Sequence, residues 1–429
     1  MFRLLCIIVC IFIPSSTSFS LPTPSSYYLH IPFCRRRCNY CDFAIVPIGS
    51  STKSSCGSTD GKVDGKADVE ELYRDAIIKE IRTTYNSHQK NARPLKTVYV
   101  GGGTPSLMSS EYILSVVGEL KNLYGIVEGA EVTIEMDPGT FDLQKMEDLK
   151  TGGINRVSLG VQAFDDVVLE EIGRVHRRED VIKSVEIVET CELEWSLDII
   201  SGLPGTTLDS WSRTLDTAIE LNPSHISVYD LQVEPNTFFG RRYKTTIEDR
   251  LTDVKNELKE LPNYEDLAEM YRMSSEALRA GGYEHYEVSS FCRPGRRSRH
   301  NSNYWGFNAE WLSAGLGSVS CINGRRGGRV REMADYVKWV DGGAVLEEED
   351  EDLLMDYITT GMRTKEGVDL RLIADQFGED KVKKIVKAVE IARAKGLVEV
   401  EEGNRVWLTD PEGMLFSDYV CREIFVNLV

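Results

Sequence analysis

From Tyr27 to Tyr229 the chain alternates short β-branched or apolar runs with stretches whose apolar residues recur at helical spacing, the pattern of consecutive parallel βα units. The runs predict strands over 28–31, 97–100, 132–135, 156–160, 196–200 and 226–229. The stretches between them predict helices over 69–85, 111–123, 143–151, 180–189 and 208–221. Six such strands make an open, partial (β/α)6 barrel over 27–240, an α/β fold, with an extension of the barrel over 241–345. Ligands of such barrels sit where strands hand over to the following loops.

The first predicted strand runs directly into Phe33-Cys34-Arg-Arg-Arg-Cys38-Asn-Tyr-Cys41. Cysteines spaced Cys-x3-Cys-x2-Cys offer three thiolates to a [4Fe-4S] cluster and leave one iron open to a small molecule, the layout of a radical S-adenosylmethionine (SAM) site. Zinc prefers four N or S ligands, usually as two separated pairs. An odd trio within eight residues suits disulfides equally badly. Cys34, Cys38 and Cys41 are therefore the expected metal ligands, at the mouth of the barrel.

A net charge of −18 argues against a nucleic-acid partner, because phosphate binding needs a cation-rich surface. Residues 1–26 read as a targeting segment: Arg3, an apolar run from Leu4 to Ile13 too short to span a bilayer, then small residues. No stable membrane span is expected. A labile cluster needs a reducing compartment, and Ser18-Phe19-Ser-Leu-Pro22 resembles the junction of a plastid-import signal. A plastid is the expected location, with mitochondrion or cytoplasm as alternatives.

Residues 49–67, rich in Gly, Ser, Lys and Asp, read as a surface insertion in the first βα connection. The acidic run from Glu347 to Asp352 marks a boundary, read as a solvated linker or helix start. Beyond it, over 346–429, two helices and a hairpin turning near Gly403 predict a smaller, winged-helix-like α+β domain. Residues 345–429 hold 11 Lys and Arg against 20 Asp and Glu, so this domain is not expected to bind DNA.

Several strand ends carry chemistry. Val98-Tyr-Val-Gly101-Gly102-Gly103-Thr104-Pro105 turns on three glycines, which permit close backbone approach to a ligand and equally a bland tight turn. Glu135 and Asp137 end the third strand; a carboxylate there can accept from ribose hydroxyls or an ammonium, and Asp137 is read as a cap for the next helix. Gln162 ends the fourth strand, with Arg174 twelve residues on beside His176, Arg177 and Arg178, which read as surface cations. Asp198 stands inside an apolar strand, where a charge is costly unless used. Tyr40 can pack beside a cluster or an adenine, or pack plainly.

Together Tyr28-x-His-Ile-Pro-Phe-Cys34, Gly101-Gly-Gly-Thr-Pro, Glu135-x-Asp-Pro, Gly160-Val-Gln162 and Asp198-x-x-x-Gly-Leu-Pro resemble the oxygen-independent coproporphyrinogen III oxidase family of radical SAM proteins, from Tyr27 to the end. The resemblance implies a radical SAM barrel, a [4Fe-4S] cluster, and SAM contacted by Tyr28, Tyr40, Gly102, Gly103, Thr104, Glu135, Gln162, Arg174 and Asp198. Members of the family can cleave SAM reductively to methionine and a 5′-deoxyadenosyl radical. The oxidase branch carries one more Cys two residues past the third cluster ligand, where this chain has Phe43. Arg299-His300-Asn301-Ser-Asn-Tyr304-Trp305 is similar to the His-Asn-x-x-Tyr-Trp run of HemW-type haem chaperones. That likeness implies haem as cargo and haem-requiring client proteins as partners; the alternative is an oxidase acting on the propionates of coproporphyrinogen III, which Phe43 argues against. His300 offers an imidazole to haem, although a histidine near aromatics is more often packed and hydrogen-bonded than an iron ligand, and His285, Cys292 and Cys321 are no better than equal rivals.

Overall fold

Six parallel strands stand where the β-branched runs predict them: β1 (Ser26–Ile31), β2 (Leu95–Gly102), β3 (Ile126–Met136), β4 (Arg156–Gln162), β5 (Glu194–Ser201) and β6 (His225–Asp230). The structure is a computed structural model that describes residues 24–49, 66–88, 92–243, 260–346, 348–350, 352–401 and 404–428. The targeting segment up to residue 23, residues 50–65 of the insertion, and Gly403 lie outside the described residues.

The sheet has nine strands among the described residues, not six. β7 (Glu284–Glu287), β8 (Ser290–Cys292) and β9 (Leu312–Ala314) complete the order β9-β1-β2-β3-β4-β5-β6-β8-β7. β9 lies parallel to β1, while β8 pairs antiparallel with β6 and β7 with β8. These three strands are only three or four residues long, too short for their alternation to stand out in sequence. Helices α1 (Lys66–His88), α2 (Ser110–Leu123), α3 (Leu143–Thr151), α4 (Asp166–Glu171), α5 (Arg178–Thr190) and α6 (Leu208–Glu220) follow their strands. Covered strands read as continuous apolar runs: Val98, Val100, Ile134, Leu197, Ile199 and Ile226 are all buried.

The loops into the helices are fixed by side-chain caps. Ser109 accepts from the Tyr112 amide, Asp142 from Lys145, and Thr207 from Ser210. The cap of α3 is thus Asp142 and not Asp137, which is left for another use.

One buried ion pair ties the edge of the sheet to the first helix. Arg329 donates from Nε to Glu80 Oε1 at 2.8 Å, with both side chains fully out of solvent. The same guanidinium donates to the Ser313 and Ser320 hydroxyls at 2.9 and 2.7 Å, while Glu80 Oε2 accepts from the Gly315 amide at 2.8 Å and the Tyr336 hydroxyl at 2.6 Å. A buried pair so fully hydrogen-bonded holds only while both partners are present.

The acidic run is not a bare linker. Glu348–Asp350 forms β12, the third strand of a small sheet with β10 (Val319–Ile322) and β11 (Arg325–Gly328), in register Arg325↔Asp350 and Arg326↔Glu349. Asp352 then caps the helix Leu353–Gly361. A pairing partner more than 20 residues away thus overrides the low strand propensity of Glu and Asp. Beyond it, helices Leu370–Phe377 and Glu379–Ala388 and the antiparallel strands Val398–Glu401 and Arg405–Leu408 surround a second core that includes Ile358, Ile373, Ile385 and Val406.

Urea unfolding tests the buried pair. Arg329→Met is expected to cost about 3–5 kcal/mol, and Lys79→Met, which breaks the exposed Lys79–Asp341 contact on the same helix, less than about 1 kcal/mol. Equal losses would contradict the assignment.

Candidate functional site

The three cysteines lie on one loop that folds back over the ends of β1 and β2. Phe33 and Cys34 pair in parallel with Val46 and Pro47, so the loop closes on itself. The amides of Gly103 and Thr104 donate to the Ile31 and Phe33 carbonyls at 2.8 Å each. A Cβ on Gly103 would lie 2.7 Å from the Pro32 carbonyl, so only glycine lets the turn meet the loop. Other pins come from further along the chain. Arg36 donates to the Gly173 and Arg174 carbonyls at 2.7 Å each, the Asn39 amide donates to the Ile172 carbonyl at 3.0 Å, and His30 Nε2 meets the Ala44 carbonyl at 2.8 Å.

All three thiols are free, half-buried, and line a single cavity of about 890 Å³ at the carboxyl ends of the strands. Thr104 Oγ1 lies 3.6 Å from Cys34 Sγ and Arg174 Nη1 3.8 Å from Cys38 Sγ, so two of the sulfurs face donors. Burial pushes the Cys34 thiol up to about 12 and raises that of Cys41, so becoming thiolate there requires a bound cationic group. Among the described residues no three His, Cys, Asp or Glu groups converge as a single metal ion requires. Three thiols facing one cavity, two of them toward donors, fit a cluster in which three of the four irons each take one cysteine sulfur.

Beside the cysteines the sheet register sets polar groups in a row. Tyr28 stands opposite Tyr99, Glu135 opposite Ser158, Gly160 opposite Asp198, and Asp198 opposite Ser227. Glu135 accepts from the Tyr99 hydroxyl and the Gly102 amide at 2.9 Å each. Burial nevertheless pushes its carboxyl up to about 7, the amide and hydroxyl opposing. Burial also raises Asp198, against the nearby Ser227 and Ser158 hydroxyls; its Oδ2 accepts from Ser158 at 2.8 Å and its buried Oδ1 has no hydrogen bond. That open acceptor suits a ligand hydroxyl.

Asp137 is a correction. It pairs with the buried Arg174 and accepts from Thr104 at 3.2 Å, and Arg174 donates to the Gly160 carbonyl at 2.8 Å. Gly160 makes room: a Cβ there would lie 3.0 Å from both Asp137 Oδ1 and Gln162 Nε2. His176 is a second correction, buried with Nε2 3.0 Å from the Val161 carbonyl, whereas Arg178 is exposed as expected. Gln162 lines the cavity with φ of 65°, held left-handed at a break in the β4–β5 register. Tyr40 lines the cavity and packs on the cluster of Leu169, Ile172 and Phe239. All nine residues expected to contact SAM line this one cavity. Tyr99 and Ser158 belong to it as well and were given no role from the sequence, although counting back in twos from Gly101 and Gly160 puts them on the same face.

His300 is packed. Its Nδ1 meets Thr97 Oγ1 and its Nε2 the Tyr304 hydroxyl, both at 2.8 Å, its ring stacks on Tyr99, and burial with Arg156 holds its pKa down to about 3. The Arg299 and His300 amides donate to the two oxygens of Glu131 at 2.9 Å each. Tyr304 reaches the cavity, whereas Trp305 lies under Arg363 beside the second core. His285 is likewise committed, to Asp410 at 2.9 Å, and Cys292 and Cys321 are buried away from the cavity. None of the four offers a lone pair to a ligand in the cavity.

The raised carboxyl gives a pH test. The folded chain keeps a proton on Glu135 that the unfolded chain releases above its ordinary value of 4.5, so this contribution is present below pH 4.5 and lost as pH rises through about 7. In urea titrations Glu135→Gln is expected to gain on the wild type between pH 5 and pH 8, on the order of 2 kcal/mol. A difference independent of pH would contradict the raised carboxyl.

Comparison with known proteins agrees with this geometry. The model of the Radical SAM superfamily matches residues 28–218. The heme chaperone HemW of Synechocystis sp. is 35% identical over 427 residues, covering 94% of this chain and 97% of its own. That of Bacillus subtilis is 32% identical over 406 residues, covering 92% and 97%. Among solved structures, coproporphyrinogen III oxidase (HemN) from Escherichia coli, a radical SAM enzyme, matches with a TM-score of 0.75 over 94% of this chain and 90% of its own; at 23% identity this is a likeness of fold. Identity of 35% along nearly the full length of both chains makes this chain a member of the HemW family of radical SAM proteins.

Proposed function

We propose that this chain is a haem carrier, which binds haem and hands it to haem-requiring client proteins. The observation that carries the reading is the end-to-end match to two relatives named heme chaperone, each aligned over 97% of its own length. Phe43 supports it, standing where the oxidase branch has a further cysteine.

Cys34, Cys38 and Cys41 would hold a [4Fe-4S] cluster, which supplies an iron with an open coordination position and a route for one electron to bound SAM. The chain's own residues do the orienting. Glu135 and Asp198 accept from ammonium or hydroxyl groups, Gln162 presents an amide, and Arg174 neutralises Asp137 beside Cys38. In the carrier these cofactors serve assembly, regulation or haem release rather than porphyrin oxidation.

Anaerobically reconstituted protein is expected to bind haem with a clear shift of the Soret band and to form no protoporphyrinogen from coproporphyrinogen III supplied with SAM and a reductant. Robust turnover in that assay would refute the carrier and favour the oxidase.

A further inference from the structure

The cavity has two unlike ends. Glu135, Asp137, Gln162, Arg174 and Asp198 make one of them polar and charged. Next to the Cys loop and edge strand β9 the lining is instead Phe43, Trp311, Val319 and Arg331, with Tyr304 between Trp311 and Glu135. We propose that this aromatic end is the seat of the haem, with the macrocycle lying against Phe43, Trp311 and Val319 and a propionate meeting Arg331. The inference rests on the carrier reading and adds to it the place, the residues and the recognition chemistry.

The wall is one continuous surface. Trp311 Nε1 donates to the Val319 carbonyl at 2.7 Å, and Tyr304 meets the Trp311 ring edge-on with centroids 4.7 Å apart. Gly317, at φ of 67°, brings the Val319 segment onto the Cys loop, since a Cβ there would lie 2.6 Å from Ala44 Cβ and 3.6 Å from Arg331 Cγ. Phe43, next to Ala44, and Val319, two residues past Gly317, flank that contact and line the same cavity. Both are exposed, Phe43 by 66% and Val319 by 39%. Phe43 is not on a loose loop: Arg37 donates to its carbonyl at 2.9 Å and to that of Cys41 at 3.2 Å, and Ala44 beside it is buried. A pinned backbone that holds a large apolar ring in water at a cavity rim leaves apolar area for a flat ligand to cover.

Charge selects among flat ligands. Arg331 uses Nη2 on Asp42, through its carbonyl and, at 3.4 Å, its carboxylate. Among the described residues its Nε and Nη1 have no hydrogen-bond partner. Each of these N–H groups can meet a carboxylate oxygen through a single charge-assisted hydrogen bond. In a chain of net charge −18, a cation beside an aromatic wall and against the cluster loop fits an apolar macrocycle carrying carboxylates. The same placement accounts for Phe43, because where the oxidase branch has a thiol this chain presents a ring to the haem face.

Haem titration of the reconstituted full chain, followed at the Soret band with variants compared at equal iron content, tests the seat. Phe43→Ser and Val319→Ser are each expected to raise the haem Kd about tenfold. Arg331→Ala is expected to raise it several-fold for haem and to leave the Kd of haem dimethyl ester, which has no free carboxylate, unchanged. Wild-type binding that Phe43→Ser and Val319→Ser leave intact would overturn the seat while the carrier reading stands. An equal loss of haem and its dimethyl ester in Arg331→Ala would overturn the propionate contact. A wild-type chain that binds no haem would remove both the seat and the carrier.

Discussion

The Cys loop can lie across the ends of β1 and β2 only because nothing projects from residue 103. A side chain there would press within 2.7 Å of the Pro32 backbone, and the paired hydrogen bonds from Gly103 and Thr104 to Ile31 and Phe33 would be lost. The relative position of the thiols, the glycine turn and the Thr104 hydroxyl is set by this one backbone contact. Arg36, Asn39 and His30 then fix the loop from three further directions. Glycine raises the conformational entropy of the unfolded chain, so what it contributes here is a rigid site rather than added stability.

From that fixed loop the cavity divides naturally. The strands after β1 contribute acids and amides at their carboxyl ends, whereas Trp311, just before the edge strand β9, and Val319, at the start of β10, contribute aromatic and aliphatic side chains. The His300 run serves this arrangement as a joint. Glu131 holds its amides, His300 closes the barrel interior against Tyr99, Tyr304 reaches the cavity, and Trp305 turns toward the second core. His300, which reads as a ligand in sequence, is in this fold a packed histidine that sets Tyr304 at the cavity.

Much of this was legible in the sequence. Strand period, helical spacing and cysteine spacing are local signals, so the six barrel strands, five of their helices and the three cysteines at the strand ends stand where they were expected. What escaped was non-local. The partner of Asp137 is 37 residues away and that of Glu80 is 249 residues away, and no window of sequence holds both members of either pair. The acidic strand β12 and the short edge strands depend on pairing partners rather than on their own propensity. His176 looked like one of a row of surface cations because only the fold distinguishes it from Arg178.

If the three thiols hold a cluster, Glu135, Gln162 and Asp198, which line the same cavity, would hold SAM beside it. Electron paramagnetic resonance of the reduced, reconstituted protein with and without SAM tests this most directly. SAM is expected to alter the cluster signal in the wild type, and the change is expected to be lost in a chain carrying Glu135→Ala and Asp198→Ala. A cluster signal indifferent to saturating SAM in the wild type would contradict it.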